Sequence, residues 1–477
     1  MKQIPLFIIT LLATFMSGQN QPSMERWAVD DSLGLALIHT SIMKDNGSME
    51  VLQNNNNSFE ILKEDSSQHP AERISLKDAK GRTYKTFITS IPLIQIDAPD
   101  GIVDEPKRLA QIKYTDADTS FTSYAGIELR GSSSLLFAKK TYDLNFYTDA
   151  TGKENADVQL AGMRKDDDWV LDGLYNEPLR MRSFLSLNLW NEIYQPYYLD
   201  REPTAKGGAK GTYADVFVNG KYKGVFLLQE QVDRKLTRIK KIKDEFVRGE
   251  LFQGSSYKGA VTFDSLPQKK NYLPFWGGYN IKYPVPTNIY WDNLYPFTDF
   301  VINSTDDAFA KAIPEKFYLN NAIDYFLFVN VVRAPDNLGK NLFLIRYDEN
   351  EPYFYAPWDL DGSFGTIFSG KRIATTNDFL ENGLLRRLIA TDADGFNKKF
   401  QKRWADLREG VFSTNAILKR QEDVFNMLLD EGVFKREGLV WKEFNYEHEG
   451  LEYMQQWTQE RLHFLDNYIS GISKGKK

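Results

Sequence analysis

Cysteine is absent from all 477 residues, which removes disulfides, thiolate metal sites and cysteine nucleophiles. Histidine is nearly as scarce: His39, His69, His448 and His463 are the full set. None stands in a His-x-x-x-His spacing and all lie away from the carboxylate-rich segments, so zinc hydrolysis and Ser-His-Asp catalysis lack their parts. No long Lys/Arg block interrupts a chain of net charge -6, and nothing favours a nucleic-acid partner. The apolar run at residues 5–15 is shorter than the ~20 residues a membrane span needs. It follows Met1-Lys2 and leads into Ser17-Gly18-Gln19-Asn20, the pattern of a signal peptide cleaved near Gly18. With no cysteine at that boundary to carry a lipid, the expectation is an exported protein, periplasmic, cell-surface or secreted, without a stable membrane anchor.

What is present is an ordinary globular composition, 42% hydrophobic and 26% charged, able to build a large core without cross-links. The chain divides into a signal peptide (1–18), a β-rich N-terminal extension (19–87), a main domain (88–470) and a basic tail (471–477). Residues 92–96, 124–130 and 142–147 read as strands. Residues 213–218 and 222–228 flank Asn219-Gly220, whose tolerance of positive φ predicts a tight hairpin. Residues 182–194 form a mostly apolar helix, and Ile323, Phe326, Leu327 and Val331 mark a second one that must stop before Pro335. Strands at 342–346 and 353–355 follow, then helices with the stripes Phe396/Phe400/Trp404/Leu407 and Met454/Trp457/Phe464/Tyr468. The fold class is α+β, with a β-rich N-terminal part and a helical C-terminal part.

Three segments concentrate carboxylate, amide and lysine chemistry. In Asp336-Asn337-Leu338-Gly339-Lys340-Asn341, an Asp and an Asn five positions apart suit a base for an attacking hydroxyl and an amide oxygen for a phosphate-bound metal. The same spacing also fits an Asp-rich turn. Trp358-Asp359-Leu360-Asp361-Gly362 follows at a strand end, and if the strand persists both carboxylates point one way and share Mg²⁺ or Mn²⁺; a solvated turn at Gly362 is the plainer reading. The third segment is Lys139-Lys140, with Glu230 as an acidic partner that would orient a phosphate-binding lysine. Strand alternation puts Lys140 with Tyr142 and Leu144, which favours it over Lys139; solvated lysines are the alternative. Upstream, Arg130-Gly131-Ser132-Ser133-Ser134 offers a turn whose amides and hydroxyls would cover phosphates.

In chain order these segments resemble the CotH kinase family. The carriers, between about residues 90 and 470, are Arg130-Gly131-Ser132-Ser133 with Lys139-Lys140-x-Tyr142, Asp166-Asp167-Asp168-Trp169-Val170-Leu171, Met181-Arg182, Gly224-Val225-Phe226-Leu227-Leu228-x-Glu230, Asp336 with Lys340-Asn341, and Pro357-Trp358-Asp359-Leu360-Asp361-Gly362. The resemblance implies an atypical protein-kinase-like two-lobed fold, ATP with Mg²⁺ or Mn²⁺, and transfer to a secreted or surface protein. It makes Asp336 the active-site aspartate, assigns the metal to Asp359/Asp361 beside Asn341, and makes Arg182 a phosphate contact or structural ion pair. Glu177 and Ser183 depart from the family pattern, where Asp and Asn are expected. Two other classes fit the same residues: a catalytically silent scaffold binding partners through the aromatic run 272–283 (Phe275, Trp276, Tyr279), and a glycoside hydrolase using two of Asp336, Asp359, Asp361 and Glu230.

Overall fold

The computed structural model describes residues 26–42, 51–53, 58–63, 74–131, 133–244, 246–269, 273–284, 291–441 and 448–472. The expected signal peptide, Ser132 and most of the basic tail lie outside the described residues.

Alternating apolar residues first build a six-stranded sheet, in the order Trp27–Asp30, Leu35–His39, Thr83–Thr89, Ile74–Asp78, Ser58–Lys63 and Val51–Gln53. Its own small core holds Trp27, Phe59 and Tyr84, packed edge to face with centroids 5.5 Å apart.

The next strands close into a seven-stranded barrel: Thr141–Tyr147, Asp168–Asp172, Lys221–Glu230, Gly211–Val218, Leu93–Asp97, Arg108–Thr115 and Ser120–Arg130, which returns to the first. The period-two residues Ile94/Ile96, Tyr142/Leu144/Phe146, Trp169/Leu171 and Phe226/Leu228 fill its interior, as expected where alternate side chains share a face. The Asn-Gly hairpin lies within it as expected, with Asn219 at φ 50 and Gly220 at φ 69. Residues of opposite parity, among them Val170, Val225 and Leu227, belong to the main core that joins the outside of the barrel to the helices.

A five-stranded sheet follows, ordered Phe275–Trp276, Tyr279–Tyr283, Glu250–Ser255, Lys340–Arg346 and Tyr353–Pro357. Of the aromatic run considered as a partner surface, Trp276 and Tyr279 are buried in the main core, and Phe275 is exposed. Helix Leu319–Val332 is mostly apolar and buried almost throughout, with Asn321, Asp324 and Asn330 as its buried polar residues, the signature of a central helix. It stops at Arg333, which turns left-handed at φ 49, because Pro335 cannot continue it. Helices Arg182–Ile193, Phe396–Arg408, Thr414–Asp430, Val433–Val440 and His448–Gly471 complete a mixed α+β protein, β-rich at first and helical later.

Candidate active site

The central helix, once stopped, delivers Asp336 in the short turn Pro335–Leu338. The chain then enters strand Lys340–Arg346, whose Leu342 pairs with Pro357 of the next strand. Asn341 therefore lies opposite Trp358, which donates its N–H to the Asn341 carbonyl at 2.9 Å. Buried Asn337 ties the two loops together, its Nδ2 donating to the carbonyls of Asn341 (2.5 Å) and Trp358 (2.9 Å). Strand Glu250–Ser255 presses against this turn so closely that a Cβ on Gly254 would lie 2.1 Å from the Gly339 carbonyl oxygen. Asn341 and Asp359 both adopt left-handed backbone, at φ 54 and φ 51, a conformation that Asn and Asp tolerate better than most residues. Strand Tyr353–Pro357 thus ends before Asp359. The persistence expected through Asp361 fails there, because the backbone reverses hand.

Both loops nevertheless open on one cleft of about 300 Å³, whose lining includes Asp336, Asn341, Asp359 and Asp361, together with Arg130 and Lys139 from the barrel side. The Asn341 Nδ2 donates to the Asp359 carbonyl at 3.4 Å, which leaves Oδ1 available as a ligand oxygen. Asp172, from the end of a barrel strand, also lines the cleft, as does Asn176, whose Nδ2 donates to Asp361 Oδ2 at 2.5 Å. Among the described residues neither Asp359 nor Asp361 has an ion-pair partner. The Asp359 carboxyl is pushed up to about 7, first by desolvation and then by Asp172 and Asp336. By surface area Asp359 is exposed to the cleft rather than enclosed. Desolvation and Asp359 raise Asp361 well above the carboxylate range.

Carboxylates held together with no cation paired to them, and only Lys340 and Arg130 acting on Asp359 across the cleft, form a place where a bound cation relieves repulsion. The donors fit Mg²⁺ or Mn²⁺: one or two carboxylates and an amide oxygen, with room for other oxygens, are what such an ion takes when it also binds phosphates. Among the described residues the one group of three acidic side chains close enough to enclose an ion is elsewhere, at Asp157, Asp166 and Asp167. There the Lys235 ammonium already bonds Asp167 and, at 2.8 Å, Asp166.

The lysine assignment is corrected. Lys140 turns away and donates to the Leu135 carbonyl at 2.6 Å. Lys139 lines the cleft, because the apolar face of Tyr142 and Leu144 is the interior of a closed barrel and the cleft lies against the outside. The acidic partner changes too. Glu230 accepts from Lys206 (2.8 Å), from the Arg164 backbone (3.1 Å) and from the Lys210 backbone (2.9 Å). Lys139 instead donates to Glu437 Oε1 at 2.8 Å and to the Val225 carbonyl at 2.5 Å. Arg180 closes the cluster through Glu437 Oε2 at 2.8 Å. Burial draws the Lys139 ammonium down to about 8, with Glu437 pulling the other way. Burial also works against the Glu437 carboxylate, yet Lys139 and Arg180 together hold it below its usual range.

Arg182 is absent from the cleft lining. It is buried and paired with Glu177, and its Nε donates to the Ser363 carbonyl at 3.0 Å, so it anchors the segment that follows Asp361. Arg130 bonds Asp143 Oδ2 at 2.5 Å and lies over the Trp358 ring, 5.5 Å from its centroid. The turn after it covers the cleft edge, with Gly131 and Ser134 in the lining and Ser134 Oγ donating to the Arg130 carbonyl at 3.1 Å. Sequence reasoning missed Asp172, Asn176, Asn337, Arg180 and Glu437. Asp172 and Asn176 follow the Asp166 to Leu171 block, a local signal; Glu437 had none, lying in a helix far along the chain.

The sequence model of the family described as "CotH kinase protein" matches residues 127–465, well over half of the chain, and the chain belongs to that family. Among curated proteins, "Inner spore coat protein H" of Bacillus subtilis (strain 168) is similar to it, 24% identical over 292 residues, covering 60% of this chain and 72% of the relative.

Proposed function

We propose that the protein is an exported, ATP- and divalent-metal-dependent kinase-like enzyme that transfers the γ-phosphate to Ser or Thr of a secreted or surface protein. The observation that carries this reading is the convergence of Asp336, Asn341, Asp359 and Asp361 with Arg130 and Lys139 on one cleft. Asp336 is the base for the acceptor hydroxyl. Asn341, Asp359 and Asp361 would hold Mg²⁺ or Mn²⁺, which would supply positive charge to the transferring phosphoryl group. Lys139, fixed by Glu437, and Arg130 supply positive charge at the barrel wall, under the turn at Gly131 and Ser134. An adjoining chamber of about 140 Å³, lined by Gln231, Val232, Asp233, Arg234, Leu251, Lys282 and Phe343, shares Arg130, Gln253 and Trp358 with the cleft, and offers apolar side chains to cover a base and polar ones to bond it. On this reading the barrel and the helical part are the two lobes of an atypical kinase-like fold.

A carboxylate-pair glycosidase needs two carboxyls and no metal, whereas a lysine and an asparagine that converge with the carboxylates on one cleft match the parts of a phosphoryl-transfer site. Export is supported by the coat-protein relative; among the described residues no helix is long and apolar enough to cross a membrane. The test is incubation of purified protein with labelled ATP and Mn²⁺ or Mg²⁺. Label transfer and a nucleotide-dependent rise in melting temperature are expected, with transfer reduced at least about 100-fold in Asp336→Asn. Absence of both label and melting shift would instead indicate a non-catalytic scaffold.

A further inference from the structure

The loop after strand Glu250–Ser255 carries Tyr257, itself outside the cleft lining, to Asp336, and its hydroxyl donates to Asp336 Oδ2 at 3.1 Å. That is the reach a general base requires of the proton it removes. The ring is 58% exposed, and besides the hydrogen bond it is steadied by the Lys340 ammonium, 5.5 Å from its centroid. Nothing packs it into a core, so structural burial does not explain its position. The phenol is pushed up to about 12 by desolvation and then by Asp336, with smaller contributions from Asp359 and Asp361. One hydroxyl therefore faces the base and lies within electrostatic reach of both carboxylates assigned to the metal.

We propose that Tyr257 is a phosphoacceptor in its own cleft, a modification site that phosphorylates in cis. The inference rests on the reading of Asp336 as base and of the cleft as an ATP site. The Tyr257 Oη–phosphorus bond forms, the bond from the γ-phosphorus to the bridging oxygen breaks, ADP leaves, and the phenolic proton passes to Asp336 Oδ2. The product places a phosphate of nearly two negative charges beside Asp336, Asp359 and Asp361. Like-charge repulsion then drives the exposed side chain outward and frees Asp336 for an external hydroxyl.

The experiment incubates the full chain with ATP and Mn²⁺ without added substrate and maps phosphate by mass spectrometry, alongside Tyr257→Phe and a melting assay with ATP and Mn²⁺. Expected are phosphate on Tyr257 and loss of most self-incorporated label in Tyr257→Phe, with its melting temperature and nucleotide shift unchanged. Label confined to other residues, or undiminished in the variant, overturns the inference and leaves the kinase reading standing. No label and no nucleotide shift in the wild type removes both. An independent readout is nitration of Tyr257 by tetranitromethane, which attacks the phenolate. In Asp336→Asn it should proceed several-fold faster, and an unchanged rate contradicts the contact.

Discussion

Glu437 lies 298 residues beyond Lys139 in the chain, and its Oε1 accepts from the Lys139 ammonium at 2.8 Å with both side chains buried. The same oxygen accepts from the Val225 backbone at 2.6 Å, and the other from Arg180. One carboxylate from the helical part thus holds two cations and a barrel strand. Glu437→Gln leaves those cations buried and uncompensated, and breaking such a pair costs about 3–5 kcal/mol. Urea unfolding should show a correspondingly lower midpoint; a loss within experimental error would mean that the cluster does not join the two parts.

Gly224 makes this contact sterically possible. It sits at φ +95, and a Cβ there would lie 2.1 Å from Glu437 Oε1 and 3.0 Å from Lys139 Nζ. Gly224→Ala should destabilise by about 1–3 kcal/mol from backbone strain alone, plus part of the ion-cluster energy. Combined with Glu437→Gln, it should cost less than the sum of the single changes, because both act on one contact. Strict additivity in a double-mutant cycle would separate the two.

Asp359 tests the metal assignment through opposite effects on the two forms. It faces Asp172, Asp336 and Asp361 with no cation paired to it, so Asp359→Asn relieves repulsion when metal is absent. A gain of about 1 kcal/mol would raise the metal-free melting temperature by about 1 °C in a chain of this size. The same substitution should abolish the rise that Mn²⁺ with ATP produces in the wild type. A lower metal-free melting temperature with the Mn²⁺ response intact would reverse the assignment.

His39 makes the N-terminal sheet sensitive to mild acid. It is fully buried, its Nδ1 accepting from the Ser41 backbone at 3.2 Å and its Nε2 lying 3.3 Å from the Ser90 carbonyl. Desolvation lowers its pKa below 6.5, against the Ser90 carbonyl and the carboxylates of Asp116, Glu431 and Asp215. The unfolded chain therefore takes up the proton first. The contribution is full above pH 6.5 and is lost as pH falls through the lower, folded value. Denaturation between pH 7.5 and 5 should show a steeper loss for wild type than for His39→Gln. Parallel slopes would mean that this histidine is not the group responsible.

Much of this was legible in the chain because local rules decide it. Asn219-Gly220 demanded its turn, Pro335 ended the central helix, and the segments around Asp336 and Asp359 lie at element ends, where loops are displayed. The family assignment read from those motifs is confirmed by the match over residues 127–465. The choice between Lys139 and Lys140 was not legible, since alternation separates two faces without saying which is the inside of a barrel. Glu437 was not legible for a different reason: a buried charge is recognisable by its partners, and these come from distant parts of the chain. The turn of Asp359 into left-handed backbone likewise depends on Asn337 and on the packing of Gly254 against Gly339, all remote from the Asp359 segment in sequence.

On the proposed function, the cleft holds a divalent ion shared between protein oxygens and nucleotide phosphates. Electron paramagnetic resonance of Mn²⁺ titrated into the protein with a non-hydrolysable ATP analogue measures this directly, through ³¹P coupling to the bound ion. A protein-bound Mn²⁺ signal, distinct from that of free Mn²⁺-nucleotide and coupled to phosphorus, is expected in the wild type, and the Asp359→Asn, Asp361→Asn double variant should return only the free Mn²⁺-nucleotide spectrum. Free Mn²⁺-nucleotide alone in the wild type, or a protein-bound, phosphorus-coupled signal in the double variant, would overturn the metal assignment.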